Sequence, residues 1–173
     1  MPRSILLISI IVCILFTSTA CYDRREVDDL GYVIAVGLDK GENNFLKMTL
    51  QFAVPMSIAG GGEGGGGSDG EKAVTVQTVE CPAIYSGLNM INTFTSKQIN
   101  LSHAKVIVFS EELARGGLER YVHPIIRGRE FRPEIFVIIA RGSAEEYIKA
   151  VKPQLETNPA KYYELSNAGY KYT

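Results

Sequence analysis

The sequence predicts an α+β fold in which helices pack on a central, mostly antiparallel sheet of about five strands. Three observations carry this prediction. Short β-branched or alternating runs recur along the chain, as in strands. Amphipathic stretches between them open at proline, serine or asparagine, as helices do. The element order, with three strands first and helices and strands afterwards, is not a regular βαβ repeat.

The chain opens with an apolar segment. Residues 5–16 form an uncharged run of about 12 residues, shorter than the roughly 20 that a permanent membrane helix needs. Small residues follow at 17–20, and Cys21 comes next, as at the cleavage site of an export signal. We therefore predict a lipoprotein signal peptide over 1–20, with a diacylglycerol on the thiol of Cys21. The alternatives are a plain secretory signal with an unmodified cysteine and a retained membrane anchor.

Composition limits the class of protein. Removing Arg3 leaves 17 of the 18 basic side chains against 19 acidic ones, so the chain after the signal has a net charge of −2. No segment is strongly basic, so nothing indicates a nucleic-acid partner. Of the three cysteines, Cys13 leaves with the signal and Cys21 is lipidated, so Cys81 has no partner for a disulfide. We expect Cys81 to be a buried, inert thiol.

Three strands are predicted in the first half of the domain, after a charged lead-in. The apolar run 31–38 indicates a buried strand, and residues 39–44 supply turn chemistry. Residues 45–54 alternate in polarity and are predicted to pair with the first strand as an antiparallel hairpin. Residues 73–80 alternate again and indicate a third strand.

A glycine-rich stretch separates the second and third strands. Residues 57–72 contain eight glycines, so little in them can be buried, and we predict a linker. A phosphate-binding loop would end in Gly-Lys-Ser or Gly-Lys-Thr, whereas the segment ends in Gly-Glu-Lys-Ala. A calcium-binding glycine repeat would need several copies, and one is present.

Helices and strands alternate in the second half. Pro82 opens a helix that runs to about Phe94. Residues 104–109 indicate a central strand, after which Ser110 caps a helix that ends at Gly116.

A second helix, a last strand and two more helices are also predicted. Residues 97–102 are polar. Residues 118–126 are predicted as that second helix, and residues 134–140 as the last strand. A capping box at Ser143 opens a short helix, and Pro159 opens a final one. That final helix is still running at the last residue, so we expect the sequence to be the first part of a longer protein.

Candidate catalytic and metal-binding groups are few. His103 begins a strand and is expected to be structural, while His123 has no second ligand at metal-binding spacing. No serine lies in a nucleophile elbow, and Cys81 has no nearby base. The sequence therefore predicts a protein that is not an enzyme and that has no cofactor and no metal site.

One exposed charged cluster is predicted in the loop before the last strand, formed by Arg127, Arg129 and Arg132. It can be a solvated turn, or an internal salt-bridge set with Glu130 and Glu134. It can also be a docking surface for an acidic partner, since guanidinium groups bind carboxylates in a bidentate manner. The sequence leaves these interpretations open.

Four segments, in order, resemble one protein family. Residues 21–30 begin Cys-Tyr-Asp-Arg-Arg-Glu-Val, similar to a mature start Cys-Trp-Asp-Arg-Arg-Glu-Ile. Residues 37–40 resemble a Gly-Ile-Asp-Lys turn, and residues 103–114 resemble His-Ala-Lys-Val-Ile followed by Glu-Glu-Leu-Ala. Residues 127–132 resemble Arg-Asp-x-Glu-x-Arg, with Gly128 where aspartate is usual. The family is the C subunit of spore germinant receptors, the Ger(x)C lipoproteins of endospore-forming bacteria.

The resemblance implies that residues 21–173 are the N-terminal domain of a longer, non-enzymatic subunit. Its lipid on Cys21 would anchor it to the outer face of the spore inner membrane. There it would act with a multi-span A subunit and a transporter-like B subunit in the response to nutrient germinants. The family assigns no catalytic residue, so only Cys21 carries over. The alternatives are an exported substrate-binding lipoprotein of a transport system, which needs a longer two-lobed chain, and a secreted enzyme.

Overall fold

The elements lie in the parts of the chain that the computed structural model describes: residues 3–4, 30–53, 74–128, 130–151 and 159–168. The strands are β1 (Leu30–Lys40), β2 (Leu46–Ala53), β3 (Val74–Cys81), β4 (Gln98–Asn100), β5 (Val106–Ser110) and β6 (Phe136–Ala140). The helices from residue 30 onward are α1 (Ile84–Phe94), α2 (Glu111–Arg115), α3 (Glu119–Arg127), α4 (Ala144–Ala150) and α5 (Pro159–Ala168).

The strands form one mixed sheet of six strands in the order β3-β2-β1-β5-β6, with β4 also pairing with β1. The α+β class and the β1–β2 hairpin are confirmed, but a mostly antiparallel sheet is wrong. Only β1–β2 and β2–β3 are antiparallel, whereas β1–β4, β1–β5 and β5–β6 are parallel. Helices α2 and α3 carry the chain back across the sheet between β5 and β6, as parallel pairing requires.

Strand β4 lies inside segment 97–102, which was described only as polar and was not predicted as a strand. Residues Gln98–Asn100 pair in parallel with Leu30–Tyr32 of β1. Three residues with one buried side chain carry no readable period. Backbone pairing with a distant strand therefore creates β4.

Both predicted serine caps are confirmed. The hydroxyl of Ser110 accepts the N–H of Leu113 at 3.3 Å at the start of α2. The hydroxyl of Ser143 accepts the N–H of Glu146 at 3.4 Å at the start of α4. Helix α5 begins at Pro159 as expected, while its predicted continuation to the last residue lies outside the described residues.

Two hydrophobic cores cover the opposite faces of the sheet, because alternate side chains of a strand point to opposite sides. One core lies between the sheet and α1, α2 and α3, and includes Leu50, Leu88, Ile107, Phe109, Leu113 and Ile125. The other lies under α4 and α5, and includes Ala35, Val108, Ala140, Ile148 and Tyr163.

Gly37 lets α4 approach β1 closely. A Cβ atom at this position would lie 2.8 Å from Cδ1 of Ile148 and 3.5 Å from the carbonyl carbon of Ala144. Real Cβ atoms do not come as close as 2.8 Å to a neighbour, so a larger residue would require the Ile148 side chain to shift. The short distance brings the first turn of α4 over the end of β1.

The predicted linker 57–72 lies outside the described residues, but its two flanks are informative. Ala53 and Val74 are cross-strand partners in the β2–β3 pair, so the chain leaves and re-enters the sheet at adjacent positions.

We predict that replacing residues 57–72 by a turn of about six residues leaves the melting temperature within a few degrees, since the free energy of loop closure changes by only ~0.6 kcal/mol per doubling of length. Differential scanning calorimetry of both proteins, with and without calcium, measures this. A loss of more than about 10 °C would contradict the prediction.

Candidate functional site

The arginine loop, residues 127–132, is exposed at its two described arginines. Arg127 is the last residue of α3 and Arg132 lies in the loop that leads to β6, and both side chains are exposed. Arg129 lies outside the described residues. The loop thus presents at least two guanidinium groups to solvent beside the last strand of the sheet.

The competing account, an internal ion-pair network, requires carboxylate partners. Glu111 instead binds Arg115, with 2.6 Å between its Oε1 and the arginine Nη2. Glu130 and Glu134 are exposed, and within the described residues neither forms an ion pair with Arg127 or Arg132. The described part of the chain therefore contains no such network.

His103 lies beside this loop. It was predicted to begin a strand, but it occupies the exposed turn before β5, which begins at Val106. Its ring stacks edge-on against Tyr32, with 5.1 Å between the ring centroids. Partial burial, and then the charges of Arg132 and Lys105, lower its pKa, so the neutral ring is favoured next to the loop.

A polar groove of about 480 Å³ opens where β1 and β5 end. The carboxyl ends of parallel strands are a common place for ligand sites. Here the lining ions are paired within the chain: Lys40 binds Glu112 at 2.7 Å, and Arg115 binds Glu111. The charged groups among its described lining residues are therefore already bound within the chain, either by ion pairs or, for Asp39, by backbone N–H groups.

Asp39 is the buried carboxylate of this region, with 6% of its surface exposed. Its two oxygens accept the N–H groups of Ala144 at 2.7 Å and Glu145 at 2.9 Å, which begin α4. A carboxylate is favourable at a helix N-terminus because it satisfies free N–H groups and faces the positive end of the dipole. Asp39 was predicted to be a turn residue, but it is the second-last residue of β1 and caps a helix 105 residues later.

Glu145, whose N–H is one of the two that Asp39 caps, joins three elements with its side chain. It binds Lys47 of β2 at 2.5 Å and Lys149 of α4 at 2.6 Å, and the hydroxyl of Thr78 in β3 donates to it at 3.1 Å. The hydrogen bonds from Lys149 and then Lys47 hold the pKa of Glu145 at about 2, against an ordinary value of 4.5. These contacts fasten α4 to the β2–β3 hairpin, so their role is structural.

Cys81 is confirmed as a buried thiol. It is fully buried at the end of β3 and donates to the carbonyl of Leu46. Burial raises its pKa, which disfavours the reactive thiolate. In the described parts of the chain, no group of three or more histidine, cysteine or carboxylate side chains is placed to hold a metal ion.

The lipidation candidate Cys21 lies outside the described residues, so the structure does not test it. Among the described helices, none has the length and apolar character needed to cross a membrane.

Comparison with known proteins identifies the family. Residues 23–169 match the family described as "Spore germination protein N-terminal domain". The chain is 30% identical over 155 residues to spore germination protein KC of Bacillus subtilis (strain 168), covering 88% of this chain and 38% of the relative. It is 28% identical over 151 residues to the putative spore germination protein YfkR of the same organism, covering 87% and 38%.

A third relative, spore germination protein A3 of Bacillus subtilis (strain 168), is 26% identical over 138 residues, which cover 78% of this chain and 35% of the relative. No solved structure matches the chain. The chain spans less than half the length of each of these relatives. Because the family match covers most of its residues, the chain belongs to the family of spore germination protein N-terminal domains.

Proposed function

We propose that the chain is the N-terminal domain of a lipid-anchored, non-enzymatic subunit of a spore germinant receptor, needed for the nutrient-triggered germination response. The observation that carries this proposal is the family match over residues 23–169, which begins two residues after Cys21. The relatives it matches are themselves named spore germination proteins.

The anchor would hold the domain close to the outer face of the spore inner membrane. Eight residues, 22–29, separate Cys21 from the first residue of β1. Even fully extended, they span at most about 28 Å. One acyl chain gives only marginal membrane binding, whereas two or three chains hold a protein firmly.

The anchor is tested by changing Cys21. We predict that Cys21→Ala releases the protein into the soluble fraction, because the thiol that carries the lipid is gone. Cys13→Ala is the matched control, since it removes the other cysteine of the signal segment, and it should stay with the membrane. Mass spectrometry of the membrane-extracted wild type should find diacylglycerol on Cys21, and an unmodified Cys21 would disprove the anchor.

The partners would be the multi-span A subunit and the transporter-like B subunit of the receptor. We propose that Arg127, Arg129 and Arg132 contact carboxylates on one of them. Two features support this: the described guanidinium groups are exposed, and within the described residues neither is neutralised by an ion pair. Ion pairs at the rim of an interface set association rate and specificity, and salt weakens them.

Changing all three arginines to glutamine tests the docking loop. A docking role predicts an unchanged melting temperature, reduced recovery of the A and B subunits in a pull-down, and slower nutrient-triggered germination. The matched control is Arg115→Gln with Arg120→Gln, which removes exposed cations elsewhere and should leave recovery unchanged.

Two results would contradict docking. A lower melting temperature would indicate an internal network, because paired carboxylates would be left without cations. Normal stability together with normal recovery and germination would indicate a solvated turn.

A further inference from the structure

Strand β6 is an exposed apolar edge of the sheet. It ends the strand order, and within the described residues it pairs only with β5. Its sequence is Phe-Val-Ile-Ile-Ala, yet Phe136 is 42% exposed, Val137 57% and Ile139 58%. Exposed apolar edge strands readily pair with other chains, and proteins usually protect them with charge, proline or a covering element.

Within the described residues, the outward-facing backbone groups of β6 have no strand partner. The N–H of Phe136 donates to the carbonyl of Lys105 at 3.0 Å, on the β5 side. Since N–H and C=O groups of successive strand residues point to opposite sides in the plane of the sheet, those of Val137 and Ile139 point to the open edge. An added strand would find donors and acceptors at these two residues.

The charge around β6 indicates what kind of strand fits. The segment 127–141 contains four arginines and two glutamates, a net charge of +2, while the whole chain carries −1. Arg132 and Arg141 are exposed before and after β6, and no ion pair neutralises either within the described residues. Two copies of this edge would repel each other, whereas an acidic segment would be attracted.

We propose that the β6 edge binds an extended segment of another protein as an added strand, with apolar side chains alternating along the segment and acidic residues at its ends. Backbone hydrogen bonds to Val137 and Ile139 supply part of the affinity, and the flanking arginines select acidic ends. The proposal concerns how the β6 edge binds an extended segment. It holds or fails whether or not Cys21 is lipidated and whichever receptor subunit supplies the strand.

The probe is a fluorescent peptide of about nine residues in which valine and threonine alternate between glutamate-rich ends. A second peptide has lysine at the same ends. Fluorescence anisotropy with the full chain at low salt should show the acidic peptide binding at least about tenfold more tightly, and added salt should reduce that ratio. Hydrogen–deuterium exchange should then show slower exchange at the amides of Val137 and Ile139.

Two variants at one position separate backbone pairing from side-chain contact. Val137→Pro removes an outward N–H that makes no bond within the described residues, and proline is tolerated at such edge positions. Val137→Thr keeps that N–H and the branched shape. The proline variant should lose acidic-peptide binding by about tenfold or more, and the threonine variant should bind within about threefold of wild type. Both should melt near the wild-type temperature.

A charge-reversed chain, Arg132→Glu with Arg141→Glu, keeps the test decisive if the proline variant does not fold. It should prefer the lysine-ended peptide over the acidic one. The proposal is overturned if neither peptide binds or if both bind equally. It is also overturned if the amides that the acidic peptide protects from exchange lie outside β6. It is also overturned if sedimentation shows that the chain forms dimers that Val137→Pro dissolves, since a second copy then occupies the edge.

Discussion

Replacing Asp39 with alanine is expected to lower the free energy of unfolding by about 3 kcal/mol, because a hydrogen bond to a charged group contributes ~1.5–3 kcal/mol and two are lost. The carboxylate is buried and caps Ala144 and Glu145 at 2.7 and 2.9 Å. Without it, two N–H groups at the start of α4 have no acceptor, and α4 loses its two hydrogen bonds to β1. Urea denaturation followed by circular dichroism measures the change.

Two further substitutions act as controls for the Asp39 cap. Asp39→Asn keeps one acceptor oxygen but loses the charge, so its stability should lie between those of wild type and Asp39→Ala. Lys40→Ala removes only an exposed ion pair with Glu112 and should unfold close to the wild-type urea concentration, because surface ion pairs contribute little to stability. If Asp39→Ala unfolds at the same urea concentration as Lys40→Ala, the cap contributes nothing to stability.

Acid is expected to weaken the fold through Glu145. Its folded pKa of about 2 lies below its ordinary value of 4.5, so the unfolded chain binds a proton more readily. The stabilisation is fully present above about pH 5 and is lost as the pH falls towards 2. We expect a loss of about 2 kcal/mol, below the full ~3 kcal/mol that the pKa difference allows, because Lys149 is largely exposed.

Glu145→Gln isolates this contribution. The variant should be less stable than wild type at pH 7 and should approach it at pH 2, because the wild-type carboxylate is then becoming protonated. Glu112→Gln removes an exposed carboxylate paired with Lys40 and should leave the pH dependence of wild type almost unchanged. Parallel pH profiles for wild type and Glu145→Gln would show that the contacts with Lys47 and Lys149 do not stabilise the folded state.

Some features of the fold could be predicted because their causes lie close together in the sequence. The hairpin of β1 and β2 follows from an apolar run, a turn and an alternating run, and the caps at Ser110 and Ser143 bond to residues three positions later. Local patterns also predicted a helix that Pro82 opens and that runs to about Phe94, and α1 covers Ile84–Phe94. The resemblance of short segments indicated the family that the comparisons confirm.

The candidate site was predicted only in part. The residue types of the arginine loop and its position before the last strand were predicted from the sequence, and the structure places Arg127 and Arg132 on the surface. The exposed edge of β6 was missed, because a run of five apolar residues is typical of a buried strand. A run of apolar residues does not say whether a strand lies in the middle of a sheet or at its edge.

By itself, the sequence determined the local elements of this protein, since turns, caps and alternation act between residues a few positions apart. Only the tertiary structure decided that β1, β5 and β6 run parallel, that Gln98–Asn100 forms a strand, and that β6 is left exposed. It also decided the role of Asp39. These features depend on groups far apart in the chain, such as Asp39 and Ala144 at 105 positions or Gln51 and Tyr163 at 112. The packing of helices across the sheet determines which of these groups meet. Such long-range contacts produce no pattern within a short stretch of sequence.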